Sequence, residues 1–181
     1  NSLVEAEAIE AAIRQRFPEK AVRIYSSRTP PSEKERHFAD VHTHWSGLDV
    51  LIYTPTVSAG VSYELVHFDV LFGYFTDMSC DVETCRQMLG RVRDVSTKEY
   101  IICLSGRVNN LPVSVDDIRR LLFDKRTNLF RRLDGDGAQL ALQYEYAPDG
   151  TVRYHESPYF CLWLETLRVE NLSKNAFAAR F

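Results

Sequence analysis

Two segments hold the residues whose types suit chemistry on phosphates. The first, Thr54-Pro55-Thr56-Val57-Ser58-Ala59-Gly60-Val61-Ser62-Tyr63, interleaves short hydroxyl side chains with small residues. Such a loop lets backbone N–H groups and hydroxyls come close to phosphate oxygens. The second, Gln87-Met88-Leu89-Gly90-Arg91-Val92-Arg93, sets two arginines just beyond a glutamine. A guanidinium is always charged and forks onto phosphate oxygens, so it can stabilise charge building on a transferring phosphoryl group. Glutamine can hydrogen-bond the same phosphate or an attacking water. On a regular helix Arg91, four residues after Gln87, shares its face, whereas Arg93, six after and about 240° round, points elsewhere. Arg91 is therefore the expected reactive cation, joined by Arg93 only if the helix ends or distorts near Gly90–Val92. Gly90 is expected to let neighbouring backbone approach closely.

These segments need elements to position them. Leu3–Arg16 places Ile9 and Ile13 on one helical face with Phe17 beyond and Ala8 and Ala12 beside them. Ala21–Ser26 reads as a strand, ended at Pro30-Pro31, after which Ser32 is placed to cap a polar helix. The runs at 49–54 and 68–75 are apolar enough for buried parallel strands, and 99–104 is a third. Between the last two, Val82, Cys85, Leu89 and Val92 recur at helical spacing. The order predicts an α/β fold with a parallel sheet flanked by helices over residues 1–108. Both candidate segments follow a buried strand.

Residues 109–181 read differently, as a mainly helical extension with a small hairpin. Ser114 with Asp117 resembles a capping box, and Ile118, Leu121, Leu122, Leu129 and Leu133 mark a helix over 114–133. Asp116 and Asp117 then sit as charges at its N-terminus. From 118 to 133, Arg119, Arg120, Lys125, Arg126, Arg131 and Arg132 face only Asp124. Such a run is either a solvated face or a phosphate-backbone contact, and the second reading makes Arg119, Arg120, Lys125 and Arg126 nucleic-acid contacts. Asp134–Gly137 reads as a loop, Pro148-Asp149-Gly150 as a hairpin turn, 158–170 as helix, and Ser173 as the cap of a final helix.

Composition narrows the classes. With 181 residues and 45% hydrophobic content the chain can bury a core, and a net charge of -3 rules out an overall basic nucleic-acid binder while leaving room for a local patch. No apolar run approaches the roughly 20 residues of a membrane span, and Glu5, Glu7 and Glu10 interrupt the N-terminal apolar stretch that a signal peptide would need. Cys80, Cys85, Cys103 and Cys161 lack a CxxC pair and read as reduced, mostly buried thiols of an intracellular protein. They are expected to form neither a disulfide framework nor, with His42 and His44, a zinc site. His37, His42 and His44 read as surface or loop residues, and Trp45 and Trp163 as packing residues.

Taken singly, each candidate segment has a plain reading: a strand-to-helix turn, and a solvated basic turn. Together and in this order, TPTVSAGVSYE and QMLGRVRD resemble the fifth and sixth motifs of the second RecA-like lobe of superfamily 2 helicases. The wording is most similar to that of herpesvirus-type replication origin-binding helicases of large DNA viruses. The resemblance spans roughly residues 1–108, and the tail is similar to the helical extension of such proteins more loosely. It implies a RecA-like parallel sheet and ATP, with Mg²⁺, held mainly by a first lobe outside this chain. Arg91, Arg93 and Gln87 are then the catalytic set, with Gly60, Ser62, Gln87 and Gly90 near the nucleotide and Thr54, Thr56 and Ser58 on the nucleic-acid backbone. The family commonly spaces its arginines four and seven after the glutamine, so the six-residue spacing of Arg93 departs from the pattern. DNA, as a single strand or fork, and the first RecA-like lobe are the implied partners. A nucleus or viral replication site is the implied location, with no membrane.

The sequence contains neither a GxxxxGK[ST] phosphate loop nor a DExH or DExD run. The expectation is a piece of a longer ATP-dependent DNA helicase or translocase, inactive alone, that supplies an arginine finger and a strand contact. The alternatives are a catalytically dead helicase-like lobe serving as a nucleic-acid or protein-binding module, and an unrelated α/β interaction domain. Retention of Gln87, Gly90 and Arg91 together favours the first.

Overall fold

The computed structural model describes residues 2–57, 60–78, 80–106, 109–122, 148 and 157–181, together with the backbone of 143–146 and 152–155. In chain order the elements are α1 (Leu3–Arg16), β1 (Val22–Tyr25), α2 (Pro31–Ala39), α3 (Val41–Trp45), β2 (Val50–Tyr53), β3 (Val70–Thr76), α4 (Val82–Leu89), β4 (Glu99–Ser105), α5 (Val115–Leu122), β5 (Gln143–Tyr146), β6 (Val152–His155), α6 (Pro158–Asn175) and α7 (Phe177–Arg180). They fall into two compact units, Asn1–Arg107 with Phe177–Phe181, and Val108–Ala176.

In the first unit the apolar runs form strands as their composition predicts, and all four pair in parallel. Val22 lies opposite Val50 and Tyr25 opposite Tyr53, while Val70 lies opposite Glu99 and Thr76 opposite Ser105. A single sheet is not what they build. Among the described residues β2 shares no ladder with β3, so the unit holds two two-stranded sheets. The fold is mixed α/β with short parallel sheets.

Local chemistry sets the boundaries. Pro31, not Ser32, opens α2; proline fits the first helical position because its missing N–H has no intrahelical partner there. Ser32 therefore lies inside the first turn. The side chain of Asp40 caps α3 by accepting from Thr43 N–H at 3.1 Å, and Asp81 caps α4 by accepting from Thr84 N–H at 2.9 Å. Gly73 lies where α4 packs on β3: a Cβ there would meet the Phe75 ring at 2.5 Å and Leu89 at 3.2 Å.

Two cores result. Tyr25, Val41, Trp45, Val57, Val61, Tyr63, Leu71, Val92 and Val95 form one, and Phe75, Cys80, Val82, Cys85, Met88 and Phe177 the other. Each buried large side chain contributes roughly 1.5–3 kcal/mol, against about 0–1 kcal/mol for a surface ion pair such as Arg28–Glu7. Packing therefore holds the unit. Trp45 is fully buried, as a packing residue.

Two expectations fail here, and one apolar face is left open. His37 is not a surface residue: it is 5% exposed, because Tyr25 Oη lies 2.8 Å from its Nδ1 and gives the ring a buried polar partner. The cysteines are not mostly buried, since Cys103 and Cys161 are exposed while Cys80 and Cys85 are buried. On α1 only Ala6 is buried, and Ile9 and Phe17 are each 44% exposed, so the apolar face has no covering layer among the described residues.

The second unit packs Ile118 and Leu122 of α5 against Phe160, Leu164 and Leu167 of α6, with Trp163 half-buried beside them. The capping box forms: Ser114 Oγ accepts from Asp117 N–H at 3.1 Å and lies 3.0 Å from its carboxylate. Asn175 clamps the backbone of Leu111 from both sides, accepting from its N–H and donating to its carbonyl at 2.9 Å each. Helix α6 runs through Ser173, which is buried inside it and does not start a helix; Ser157 caps the start of α6, accepting from Phe160 N–H at 3.1 Å. Strands β5 and β6 form the expected antiparallel hairpin, with Tyr146 opposite Val152. The continuation of α5 toward 133 and the loop at 134–137 lie outside the described residues. No described helix is long and apolar enough to cross a membrane.

Candidate nucleotide and nucleic-acid site

Strand β2 delivers Thr54 to the start of the hydroxyl-rich loop. Its N–H bonds Tyr25 carbonyl at 3.0 Å, and its Oγ1 meets Thr56 Oγ1 at 3.0 Å. Thr54 is only 4% exposed, so its hydroxyl supports the loop from below, and the half-exposed Thr56 is the hydroxyl that reaches outward. Gly60 is exposed with φ +94°, a conformation side chains resist, so glycine is required there for backbone reasons. Ser62 is half-buried, with its Oγ 3.4 Å from Glu64. Ser58 lies outside the described residues.

Helix α4 ends at Leu89, with Gly90 as its C-cap. The chain turns at Gly90–Arg91 and then bridges to the loop. Tyr63 N–H donates to Arg91 carbonyl at 2.8 Å, and Arg93 N–H donates to Tyr63 carbonyl at 2.9 Å, an isolated parallel bridge between Tyr63 and Val92. Val92 turns inward, 5% exposed, and Arg91 and Arg93 take the alternate positions. The helical-wheel argument that separated the two arginines stops at Gly90, and the six-residue spacing from Gln87 no longer sends Arg93 to another face.

The two guanidinium groups are held differently. Arg93 is exposed and lies 3.9 Å from the equally exposed Glu64, an interaction of little strength. Arg91 is half-buried and donates to Val61 carbonyl at 3.4 Å; its Nε is buried with no hydrogen-bond partner, and no described carboxylate pairs with it. Gln87 is exposed on the last turn of α4. Gly90 does not serve close approach: a Cβ there would meet only backbone oxygens, at 3.6 and 3.9 Å.

Three supports were not visible in the motifs. Tyr53 Oη donates to Met88 carbonyl at 2.9 Å, tying the end of β2 to the end of α4. Burial pushes its hydroxyl pKa up, which keeps it a neutral donor. Beneath the bridge, Trp45 Nε1–H donates to Tyr25 Oη at 3.2 Å, and Tyr63 packs against Trp45 and His42. The almost wholly apolar run at 49–54 was the only signal for Tyr53, and nothing marked its hydroxyl as a tie.

Elsewhere, Arg119 pairs with Asp116 at 2.9 Å and Arg120 with Asp117 at 3.3 Å, so the described part of the basic helix is locally neutralised. Lys125 and Arg126 lie outside the described residues. No group of three metal-ligating side chains occurs among the described residues.

The site brings together an arginine with an unpaired buried nitrogen, a glutamine and a hydroxyl loop, joined by two backbone hydrogen bonds. Comparison with known proteins finds viral relatives. A putative helicase/primase complex protein of African swine fever virus (isolate Pig/Kenya/KEN-50/1950) is 49% identical over 181 residues, 100% of this chain and 17% of the relative. The replication origin-binding protein of human herpesvirus 2 (strain HG52) is 31% identical over 108 residues, 59% of this chain and 11% of its own length. That of human herpesvirus 7 (strain JI) is 26% identical over 120 residues, 65% of this chain and 14% of its own. The chain thus spans about a sixth of the length of the swine fever virus relatives it matches. The family model described as origin of replication binding protein matches residues 2–113, and the chain belongs to that family.

Proposed function

We infer that this chain is the part of an ATP-dependent DNA helicase or translocase of viral DNA replication that completes the nucleotide site from outside and touches the DNA backbone. The observation that carries this is Arg91. Its Nε is buried without a partner, although unsatisfied buried donors are rare and cost roughly 1–3 kcal/mol each. An anionic oxygen is the partner that would satisfy it. The residues suit the phosphate end of ATP: Arg91 supplies the cation, Arg93 stands two residues on, beyond the Val92 bridge, and exposed Gln87 can orient a water. Nothing in this set holds Mg²⁺, which would sit with the first RecA-like lobe of the longer polypeptide. Bound ATP supplies the phosphoryl group whose transfer drives the motor. The chain's residues stabilise the charge and report it to the loop.

That report has a physical route. The Tyr63–Val92 bridge couples the arginine segment to the loop bearing Thr56, so a shift at one drags the other. On this reading Thr56 meets DNA phosphates, Thr54 holds Thr56 in place, and Gly60 and Ser62 stay on the nucleotide side. The names of the relatives, helicase/primase complex protein and replication origin-binding protein, support the setting in DNA replication.

The test is Arg91→Ala in the full-length protein. DNA-stimulated ATP hydrolysis should fall by at least ~10²-fold, in keeping with arginine fingers elsewhere, while DNA binding persists. Unchanged hydrolysis would remove Arg91 from the site. Hydrolysis absent in the unmodified protein, with DNA binding intact, would favour the binding-module alternative.

A further inference from the structure

Strand β2 carries a single polar side-chain group. Val50, Leu51 and Ile52 precede Tyr53, whose hydroxyl stands alone among them. The Tyr53 ring is half-buried and packs against both cores of the first unit. Phenylalanine would serve that packing as well. A hydroxyl carried into such surroundings costs free energy unless it finds a partner. It finds one in the Met88 carbonyl, at 2.9 Å.

Met88 is one residue from the end of α4, where the last carbonyls have no intrahelical partner. The same carbonyl accepts from the Arg91 N–H at 3.1 Å. One oxygen thus receives both the Tyr53 hydroxyl and the backbone of the arginine. On the other side of that residue, the Arg91 carbonyl accepts from Tyr63 N–H at 2.8 Å. Both backbone polar groups of Arg91 are therefore held, one by the helix end and one by the loop. The anchor at Met88 rides on α4, and Tyr53 ties the end of α4 to β2. Burial raises the Tyr53 pKa and outweighs the opposing pull of the Arg91 charge, so the hydroxyl stays a neutral donor.

We propose that Tyr53 is a positioning residue for Arg91: its hydroxyl holds the Met88 carbonyl, and through it the Arg91 backbone, where the guanidinium can reach phosphate. The next residue is Thr54, whose hydroxyl holds Thr56. The cation and the loop are thereby referred to one strand end, and a loop displaced by DNA carries the end of α4 with it. This role rests on Arg91 acting on phosphate and adds the group that sets its place. A guanidinium that has shifted forfeits contacts made in the transition state, so loss of the Tyr53 hydroxyl should lower kcat and leave KM for ATP alone.

The test is a double-mutant cycle on DNA-stimulated ATP hydrolysis by the full-length protein: the parent, Tyr53→Phe, Arg91→Ala and the two together. Phenylalanine keeps the ring between the cores and deletes only the donor. Tyr53→Phe alone should lower kcat by at least ~5-fold with KM for ATP within ~2-fold of the parent, since small misplacements of a catalytic group are costly. In the Arg91→Ala background the same change should alter kcat by less than ~2-fold, because nothing is left to position. A hydroxyl that merely stabilises the fold would lower activity by the same factor in both backgrounds, and that result overturns the proposal. An unchanged kcat in Tyr53→Phe, with hydrolysis lost in Arg91→Ala, removes the positioning role and leaves the role of Arg91 standing. Hydrolysis intact in Arg91→Ala removes both.

Discussion

The same chemical deletion should have opposite signs at two tyrosines of one core. Tyr25 and Tyr63 are both fully buried, and each packs against Trp45. Tyr25 Oη accepts from Trp45 Nε1–H at 3.2 Å and lies 2.8 Å from His37 Nδ1. Arg36 lies 3.3 Å from Nε2 of the same ring. Tyr25→Phe therefore strands two buried polar groups, the Trp45 N–H and the His37 Nδ1, at roughly 1–3 kcal/mol each, and should cost about 2–4 kcal/mol. Tyr63 Oη has no partner among the described residues. Tyr63→Phe deletes an unsatisfied buried hydroxyl and should gain about 1 kcal/mol. The assay is urea unfolding at pH 8 followed by Trp45 fluorescence in a Trp163→Phe background. With m near 1–3 kcal/mol/M for a small domain, the two midpoints should separate by at least about 1 M, on opposite sides of the parent. Midpoints moving the same way, with m unchanged, would refute the assignment of hydrogen-bond satisfaction in this core.

Other outcomes follow from the same geometry. Gly60→Ala should destabilise by about 1–2 kcal/mol because its φ is +94°, whereas Gly90→Ala, at φ -77° with only ordinary van der Waals contacts for a Cβ, should be neutral or slightly stabilising; paired denaturant melts decide this. Burial, and then the stacked His44, hold the His37 pKa below 6.5. The unfolded chain then binds the extra proton first, so stability is fully present above about pH 6.5 and declines as pH falls below it toward the folded-state value. Tyr25, His44, Arg23, Arg36 and Glu33 are the polar groups facing the ring, and only Glu33 opposes the shift. His37→Asn should flatten the stability profile between pH 8 and 5, measured as the urea midpoint; an unchanged slope would assign it to other histidines. Cys103 and Cys161 should react quickly with a thiol reagent in the native 181-residue chain, and Cys80 and Cys85 only on unfolding, counted by mass.

Much of the site was legible because its elements are local. A run such as DVLIYT makes a strand wherever it sits, Asp81 caps a helix from three residues away, and the hydroxyl loop follows directly. What was not legible depended on partners distant in sequence. The place of Arg93 hung on whether the helix ended near Gly90–Val92, and it ends there because Tyr63, 30 residues before Arg93, bonds the backbone of Arg91 and Arg93. His37 read as surface because histidine often is; its burial depends on Tyr25 and Trp45, whose hydroxyl and indole make a polar socket. The apolar face of α1 was read correctly as a pattern, but a pattern does not name the layer that covers it. The single sheet expected from four parallel strands splits for the same reason, at the β2 and β3 edges.

The contrast between the arginines sharpens the functional reading. Arg14, Arg23 and Arg28 each sit within 3 Å of a carboxylate, which is how a surface guanidinium is ordinarily held. Arg91 is more enclosed than Arg28 or Arg93, yet it holds one bond of 3.4 Å and an unpaired Nε. Packing alone would favour leucine or methionine there, since an apolar side chain carries no desolvation cost. If Arg91 serves an anion, Arg91→Met in the full-length protein should raise or preserve the urea midpoint while DNA-stimulated hydrolysis falls by at least ~10²-fold, and Arg91→Lys, which keeps charge but loses the fork, should recover only part of it. Loss of stability with activity intact would instead make Arg91 a structural residue bonded to Val61, and the arginine that acts on phosphate would have to be sought elsewhere.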